Sequence, residues 1–130
     1  MMKVDHFAFL VNNMDVAIEF YVKKLGMKLK FRELDEEHQE EFAFLELEGG
    51  DLELLRKLDR PITPINTESP KNRSNAPHLA LVADDIDKIV EALKVKKVEI
   101  LDGPFTIPNK VKWLYLADPD NNIIEFCQWL

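Results

Sequence analysis

The pattern of apolar and polar residues along this chain predicts the same series of elements twice. Residues 4–11 are rich in β-forming side chains, with Phe7 and Phe9 on the opposite face from His6 and Ala8. Residues 14–25 carry apolar side chains at helical spacing, followed by Gly26 at a position typical of a helix end. Each half of the chain therefore has the order β-α-β-β-β. The predicted strands cover residues 4–11, 27–34, 42–48, 52–55, 78–83, 98–101, 111–117 and 122–128, and the predicted helices cover residues 14–25 and 86–95.

Two stretches between these elements are predicted to be irregular. Residues 58–76 contain three prolines and little apolar content, which is typical of a linker. Residues 103–110 contain Gly103, Pro104 and Pro108, and they are predicted to form a loop. The chain is thus expected to hold one module in residues 1–57 and a second module in residues 77–130.

A histidine and a glutamate occupy the same place in both modules. A single offset along the chain relates His6 to His78 and also relates Glu53 to Glu125. Strand alternation places all four side chains on the sheet face that the helix does not cover. The expected fold is α+β, with two tandem βαβββ modules that form a curved mixed sheet cup with the helices outside.

Two imidazoles and two carboxylates in one cup form a suitable donor set for a divalent metal ion such as Ni, Zn, Co or Mn. A lone strand histidine is more often a structural group, and a glutamate between leucines often faces water. The repetition of His6 and Glu53 as His78 and Glu125 favours a shared site, because unrelated surface positions have no reason to recur at one spacing.

The composition limits the classes of partner. The 130 residues carry a formal charge of -7, which disfavours nucleic acid and anionic membranes as partners. No apolar run approaches the length of a membrane span, and no signal-peptide pattern is present. Cys127 is the single cysteine, so no intrachain disulfide is expected. These features predict a soluble cytoplasmic protein.

Several motifs together resemble the vicinal oxygen chelate superfamily, which includes glyoxalase I, methylmalonyl-CoA epimerase, extradiol dioxygenases and the fosfomycin and bleomycin resistance proteins. The resemblance spans nearly the whole chain. It rests on Asp5-His6-Phe7-Ala8, on the helix and turn from Ala17 to Gly26-Met27, on Leu52-Glu53-Leu54, on His78-Leu79-Ala80, and on the Asp118-Pro119-Asp120 turn that precedes Glu125.

The resemblance implies an activity of the glyoxalase I type, since a His, Glu, His, Glu ligand set is similar to that of glyoxalase I. In such enzymes the metal polarises a carbonyl or thioester oxygen while a carboxylate removes the adjacent proton, giving an enediolate. Glu125 is the implied base, with Glu53 opposite. Superfamily members are commonly homodimers, and whether the four ligands meet within one chain or across a dimer stays open.

The resemblance to glyoxalase I is incomplete at the positions that hold glutathione. Leu10 and Lys57 stand where glyoxalase I has an arginine and an asparagine that hold glutathione, so another carrier is expected.

Two alternative functions are also considered. An epimerase similar to methylmalonyl-CoA epimerase would use Glu36 or Glu37 as a second base, although both are equally explained as an exposed hairpin tip. A non-catalytic protein that sequesters a small molecule is the alternative from another class.

Overall fold

The computed structural model describes residues 1–62 and 77–130, which form two compact units, one on each side of the intervening segment. Residues 1–62 are called unit 1 and residues 77–130 unit 2. Residues 58–62 belong to no helix or strand, as the linker prediction requires, and the rest of the predicted linker, 63–76, lies outside the described residues.

Each unit has the predicted order of elements. Unit 1 consists of β1 (His6–Leu10), α1 (Met14–Glu19), a π-helical segment (Phe20–Lys24) that continues α1, β2 (Lys28–Asp35), β3 (Glu40–Glu46) and β4 (Asp51–Lys57). Unit 2 consists of β5 (His78–Val82), α2 (Ile86–Val95), β6 (Ile100–Ile107), β7 (Val111–Ala117) and β8 (Ile123–Trp129). The β-α-β-β-β interpretation is confirmed in both units.

The two sheets have the same topology. In unit 1 the strand order is β1-β4-β3-β2, and in unit 2 it is β5-β8-β7-β6. The first strand of each unit pairs in parallel with the last strand, whereas the remaining pairs are antiparallel. The first and last strands of a unit are therefore neighbours, which brings residues far apart in sequence onto adjacent strands.

Capping residues start and end the helices. The Asn13 side chain accepts a hydrogen bond from the Val16 N–H at the start of α1, and Asp85 caps α2 in the same way. Gly26 follows the π-helical segment with φ +78°, a conformation that glycine adopts without a steric penalty. The Gln128 side chain on β8 also accepts a hydrogen bond of 2.9 Å from the first N–H of α2.

Alternation along the strands divides each sheet into two faces. In β4 the side chains of Leu52 and Leu54 are fully buried on the side of α1, and Glu53 between them points to the opposite side. The face without the helix is called the open face of its unit. The core of unit 1 lies between α1, its π-helical continuation and the sheet, and includes Met14, Ala17, Tyr21, Ala43, Leu45, Leu52 and Leu54.

The predicted loop at residues 103–110 is wrong for most of its length. β6 runs to Ile107, and only residues 108–110 form the turn into β7. Gly103 takes φ +93°, and the pairing of β6 with β7 shifts register on both sides of Asp102. Pro104 is tolerated because β6 lies at the edge of the sheet, where a missing N–H and a bulge do not interrupt a central ladder.

A buried carboxylate stabilises the helix side of unit 1. Glu41 is 7% exposed, and its two oxygens accept hydrogen bonds from Arg32 Nε at 2.9 Å and Arg56 Nε at 3.1 Å. Burial alone would raise the pKa of Glu41, but the two guanidinium groups outweigh it and the pKa is lowered. The ionised form of Glu41 is therefore part of the folded state.

The lowered pKa of Glu41 predicts a contribution to stability that acid removes. This contribution is present above the ordinary glutamate pKa of about 4.3 and is lost as the pH falls through the lower pKa of the folded state. At neutral pH, Glu41→Gln is expected to lower the free energy of unfolding by about 2 kcal/mol. Urea unfolding across the acid range measures the difference, with the exposed Glu48→Gln as control. A difference between wild type and Glu41→Gln as large at about pH 2 as at neutral pH would contradict this assignment.

Candidate functional site

The open face of unit 1 brings His6 and Glu53 together. His6 begins β1 and Glu53 lies in β4, the parallel neighbour of β1, where it pairs with Ala8. His6 Nε2 and Glu53 Oε1 are 3.7 Å apart. The side chains are 38% and 16% exposed, so both are open to a ligand from the sheet face.

The open face of unit 2 repeats this arrangement with His78 and Glu125. His78 begins β5 and Glu125 lies in the parallel strand β8, where it pairs with Ala80. His78 Nε2 and Glu125 Oε1 are 3.2 Å apart. Each unit thus places one imidazole and one carboxylate on adjacent strands. The pair His6–Glu53 is called half-site 1, and the pair His78–Glu125 is called half-site 2.

A neighbouring carboxylate orients the imidazole of half-site 1. His6 Nδ1 donates a hydrogen bond of 2.6 Å to Asp5 Oδ2, because an ionised carboxylate can only accept. This hydrogen bond is the largest cause of the raised pKa of His6; burial acts against it, and the charge of Glu53 adds to it. With the proton on Nδ1, the neutral imidazole presents the Nε2 lone pair towards Glu53.

The Asp5–His6 hydrogen bond is similar to the carboxylate–histidine pairs that orient the histidine ligands of metal ions. Removal of the Asp5 carboxylate is therefore a test of whether His6 binds metal. If His6 is a metal ligand, as predicted from the sequence, Asp5→Asn is expected to weaken Co²⁺ binding about 10- to 100-fold. Competition with a chromophoric chelator measures the dissociation constant. Asp35→Asn is the matched control, since Asp35 contacts His38 Nδ1 at 2.8 Å in a turn outside both half-sites. Equal Co²⁺ affinities for Asp5→Asn and wild type would contradict the role of Asp5.

An aromatic ring packs edge-on against each histidine. Phe44 pairs with Glu53 across β3 and β4, and its ring centroid is 5.2 Å from that of His6. Tyr115 pairs with Glu125 across β7 and β8, and its ring centroid is 5.6 Å from that of His78. Each half-site is therefore flanked by one aromatic side chain on the strand next to its glutamate.

The sequence repeat does not show that Phe44 and Tyr115 are equivalent. The offset that relates the two histidines carries Phe44 onto Leu116 rather than onto Tyr115, so the repeat did not identify Phe44. The β-sheet pairing partner of each glutamate is the signal that would have found both rings.

Tyr115 and Cys127 both lie near the Glu125 carboxylate of half-site 2. Burial, followed by the negative charge of Glu125, raises the pKa of the Tyr115 hydroxyl. The same two causes, in the same order, raise the pKa of the Cys127 thiol. Cys127 is buried and free, and a raised pKa opposes thiolate formation, which supports the interpretation of a structural thiol over a nucleophile.

The residues expected to be peripheral lie in exposed positions. Glu36, Glu37 and His38 are exposed in the turn between β2 and β3, as the hairpin-tip interpretation requires.

Leu10 lies on the open face and is 41% exposed. Lys57, also on the open face, donates a hydrogen bond of 2.6 Å to Glu40. The two places that hold glutathione in glyoxalase I are therefore an aliphatic side chain and a lysine with a carboxylate partner.

The donor atoms of the half-sites fit a divalent cation. Nitrogen–oxygen separations of 3.2 and 3.7 Å are compatible with two ligands of one ion at bond lengths of about 2.0–2.2 Å. Within residues 1–62 and 77–130, no three side chains of His, Cys, Asp or Glu are grouped closely enough to hold a metal ion. Each half-site taken by itself supplies two ligands.

Comparison with known proteins shows the class to which this fold belongs. The sequence model of the Glyoxalase/Bleomycin resistance protein/Dioxygenase superfamily matches residues 3–126. The chain belongs to this superfamily, which confirms the resemblance inferred from the motifs.

Relatives from bacteria match nearly the full chain. The uncharacterized protein YwbC of Bacillus subtilis is 32% identical over 135 residues, covering 97% of this chain and 97% of YwbC. The metallothiol transferase FosB of Lysinibacillus sphaericus is 28% identical over 125 residues, covering 95% of this chain and 79% of FosB.

Solved structures share the fold. SMU.1112c has a TM-score of 0.81 at 20% identity and covers 98% of both chains. A glyoxalase I variant from Zea mays has a TM-score of 0.79 at 22% identity, over 96% of this chain and 44% of the maize chain. TnmS3, an antibiotic binding protein from Streptomyces, has a TM-score of 0.73 at 23% identity, over 100% of this chain and 98% of TnmS3. In the described part of the chain, no helix is long and apolar enough to cross a membrane.

Proposed function

We propose that this protein is a metal-dependent lyase or isomerase of the glyoxalase I type, which moves a proton within a small 2-oxo or thioester substrate. In this proposal His6, Glu53, His78 and Glu125 are the ligands of a divalent cation, Ni, Zn, Co or Mn, and the choice between ligands from one chain and ligands from two chains of a dimer stays open. The bound cation supplies a Lewis acid that polarises the substrate carbonyl oxygen. The protein is further proposed to be a cytoplasmic homodimer.

One observation carries the proposal: both units present the same donor pair in the same arrangement. A two-histidine, one-glutamate site would leave Glu53 without a role. Glu53 instead lies beside the histidine of its unit on a parallel neighbouring strand, as Glu125 does, and its exposure of 16% equals that of Glu125. The symmetry of the two half-sites therefore favours four ligands over three.

The two carboxylates supply the acid–base chemistry in this proposal. Glu125 accepts the proton from the carbon next to the polarised carbonyl, and it returns that proton to the neighbouring carbon. His78 lies beside Glu125 and holds it within reach of the substrate. Glu53 would supply a second negative charge that balances the charge of the cation. The sequence neighbours of the glutamates, Leu52 and Leu54 on β4 and Ile124 on β8, are fully buried, which anchors both carboxylates on rigid strands.

The carrier group of the substrate is proposed to differ from glutathione. Leu10 cannot bind a carboxylate, and Lys57 is paired with Glu40. A small thiol adduct of a 2-oxoaldehyde or an acyl thioester meets the chemical requirement for an acidic proton beside a carbonyl. These two substrate classes define the first activity screen.

A second candidate function is the non-catalytic binding of an apolar small molecule. The open face of unit 1 carries Phe31, Phe42 and Phe44 next to His6, with the rings of Phe31 and Phe44 stacked at 4.9 Å. Such a cluster offers an apolar surface to an aromatic ligand. A binder of this kind would be stabilised by its ligand in a thermal-shift assay without any metal requirement.

Elemental analysis of protein purified without an affinity tag tests the proposed site. About one equivalent of Ni, Zn, Co or Mn per chain is expected, since four ligands make one site. His78→Ala is expected to lose this metal. His38→Ala is the control, because His38 is exposed in a turn and belongs to neither half-site. A chain that takes up no divalent metal after soaking, or a His78→Ala variant that retains all of it, would contradict the proposal.

A further inference from the structure

The aromatic residue beside half-site 2 carries a hydroxyl group that its counterpart beside half-site 1 lacks. In half-site 1 the residue paired with Glu53 and packed on His6 is Phe44. In half-site 2 the structurally equivalent residue is Tyr115. The backbone pairing, the strand positions and the edge-on ring contact are the same in both units. Half-site 2 therefore has a hydrogen-bond donor beside its carboxylate at a place where half-site 1 has a bare ring.

The surroundings of the Tyr115 hydroxyl group favour a hydrogen bond to the carboxylate of Glu125. Tyr115 is 9% exposed, and it shares the open face with Glu125 directly across the β7–β8 pair. A phenol buried to this extent needs a hydrogen-bond partner, and Glu125 is the carboxylate on the neighbouring strand.

We propose that Tyr115 is the positioning residue for Glu125: its hydroxyl donates a hydrogen bond to the carboxylate and fixes its orientation towards the cation and the substrate. This inference rests on the proposed function, and it gives the two glutamates different roles. A carboxylate that leaves the cation to take up a proton needs another partner, or it becomes an unsatisfied buried group. Tyr115 supplies that partner for Glu125, whereas Phe44 cannot supply it for Glu53.

The Tyr115 hydroxyl group distinguishes Glu125 from Glu53, and it is the reason why Glu125 is the base in this proposal. When Glu125 is a ligand, the hydrogen bond from Tyr115 orients it in the way that outer-sphere partners orient other metal-ligating carboxylates. When Glu125 moves towards the substrate, the same hydroxyl limits its motion. At the equivalent place Glu53 has the ring of Phe44, which has no hydroxyl group, so Glu53 would serve as a ligand of the cation and not as the base.

A double-mutant cycle on Co²⁺ affinity tests the inference without any substrate. The variants are Tyr115→Phe, Glu125→Ala and the double variant, with Co²⁺ alone as the probe and a chromophoric chelator as competitor. Tyr115→Phe is expected to weaken Co²⁺ binding about 10-fold in the wild-type background. In the Glu125→Ala background the same change is expected to alter the affinity less than about twofold, because the hydroxyl then has no carboxylate to position.

The other tyrosine provides the matched control. Tyr21 is fully buried on the helix side of unit 1, outside both half-sites. Tyr21→Phe removes an equivalent hydroxyl and is expected to leave Co²⁺ affinity and the visible absorption spectrum of bound Co²⁺ unchanged. Tyr115→Phe is expected to change that spectrum, which a purely structural contribution to folding would not do.

The outcomes separate this inference from the proposed function. Loss of Co²⁺ affinity in Glu125→Ala without any loss in Tyr115→Phe would overturn the role of Tyr115 and leave the metal site standing. Equal effects of Tyr115→Phe in both backgrounds would also overturn it, since the hydroxyl would then act independently of Glu125. Wild-type Co²⁺ affinity in Glu125→Ala would overturn the metal site and the inference together.

Discussion

Glu125→Gln is expected to lower the turnover of a 2-oxoaldehyde thiol adduct by a factor of about 10²–10⁴, the usual contribution of a general base. Glutamine keeps the size of the side chain and an oxygen that can contact His78, which lies 3.2 Å from the carboxylate. It cannot accept the proton from the substrate carbon. The rate of thioester formation, followed by absorbance with the metal-loaded protein, measures the loss.

Two further variants test whether the loss of turnover is specific to Glu125. Glu53→Gln is expected to lower the metal content and, through it, the turnover, so that added metal restores part of the rate. Glu36→Gln is expected to leave the turnover unchanged, because Glu36 is exposed in the β2–β3 turn. A large loss in Glu36→Gln with normal turnover in Glu125→Gln would favour an epimerase-like assignment of the base and contradict the one made above.

Leu54→Ala is expected to lower the free energy of unfolding by about 3 kcal/mol, within the range for a leucine truncated in a packed core. Leu54 is 0% exposed, and it lies in β4 next to Glu53 with its side chain towards α1. Its removal leaves a cavity between the sheet and the helix that the surrounding side chains fill only in part. Urea unfolding followed by circular dichroism measures the change.

Leu34→Ala is the control for this experiment, since Leu34 is 54% exposed near the end of β2. It is expected to change the free energy of unfolding by less than about 1 kcal/mol. Equal effects of the two truncations would mean that the core of unit 1 does not lie between α1 and β4.

The fold was predictable where the sequence pattern and the capping residues agree. α2 begins at Ile86 and ends at Val95, as predicted from the acidic residues before it and the helical spacing within it. The strand at 111–117 is also confirmed at both ends. In these elements the local preference and the packing against the sheet favour the same structure, so the pattern alone is sufficient.

The fold was less predictable where the same pattern fits two backbone conformations. Residues 14–24 are helical as expected, but the last five form a π-helical segment in which Leu25 N–H donates to Phe20 O. Apolar spacing does not separate an α-helix from a short π-helical segment. Residues 103–107 contain the glycine and proline typical of a loop, and only the edge position of β6 allows them in a strand.

The pairing of each histidine with the glutamate of its unit was predictable from the sequence, but the neighbours of these pairs were not. His6, Glu53, His78 and Glu125 recur at one offset, and the structure pairs them within each unit as strand alternation requires. That the two pairs share one metal stays a prediction. The contacts of Asp5 with His6 and of Phe44 with His6 depend on side-chain direction and on the hairpin length, which a constant offset along the sequence does not carry.

The irregular edge of β6 has a consequence for how the protein behaves in concentrated solution. A free strand edge normally presents a continuous row of N–H and C=O groups on which a second molecule can extend the sheet. On β6 this row is interrupted, because Pro104 has no N–H and the register shifts around Asp102 bend the strand. The margin of the unit 2 sheet at β6 is thus a poor template for fibril growth.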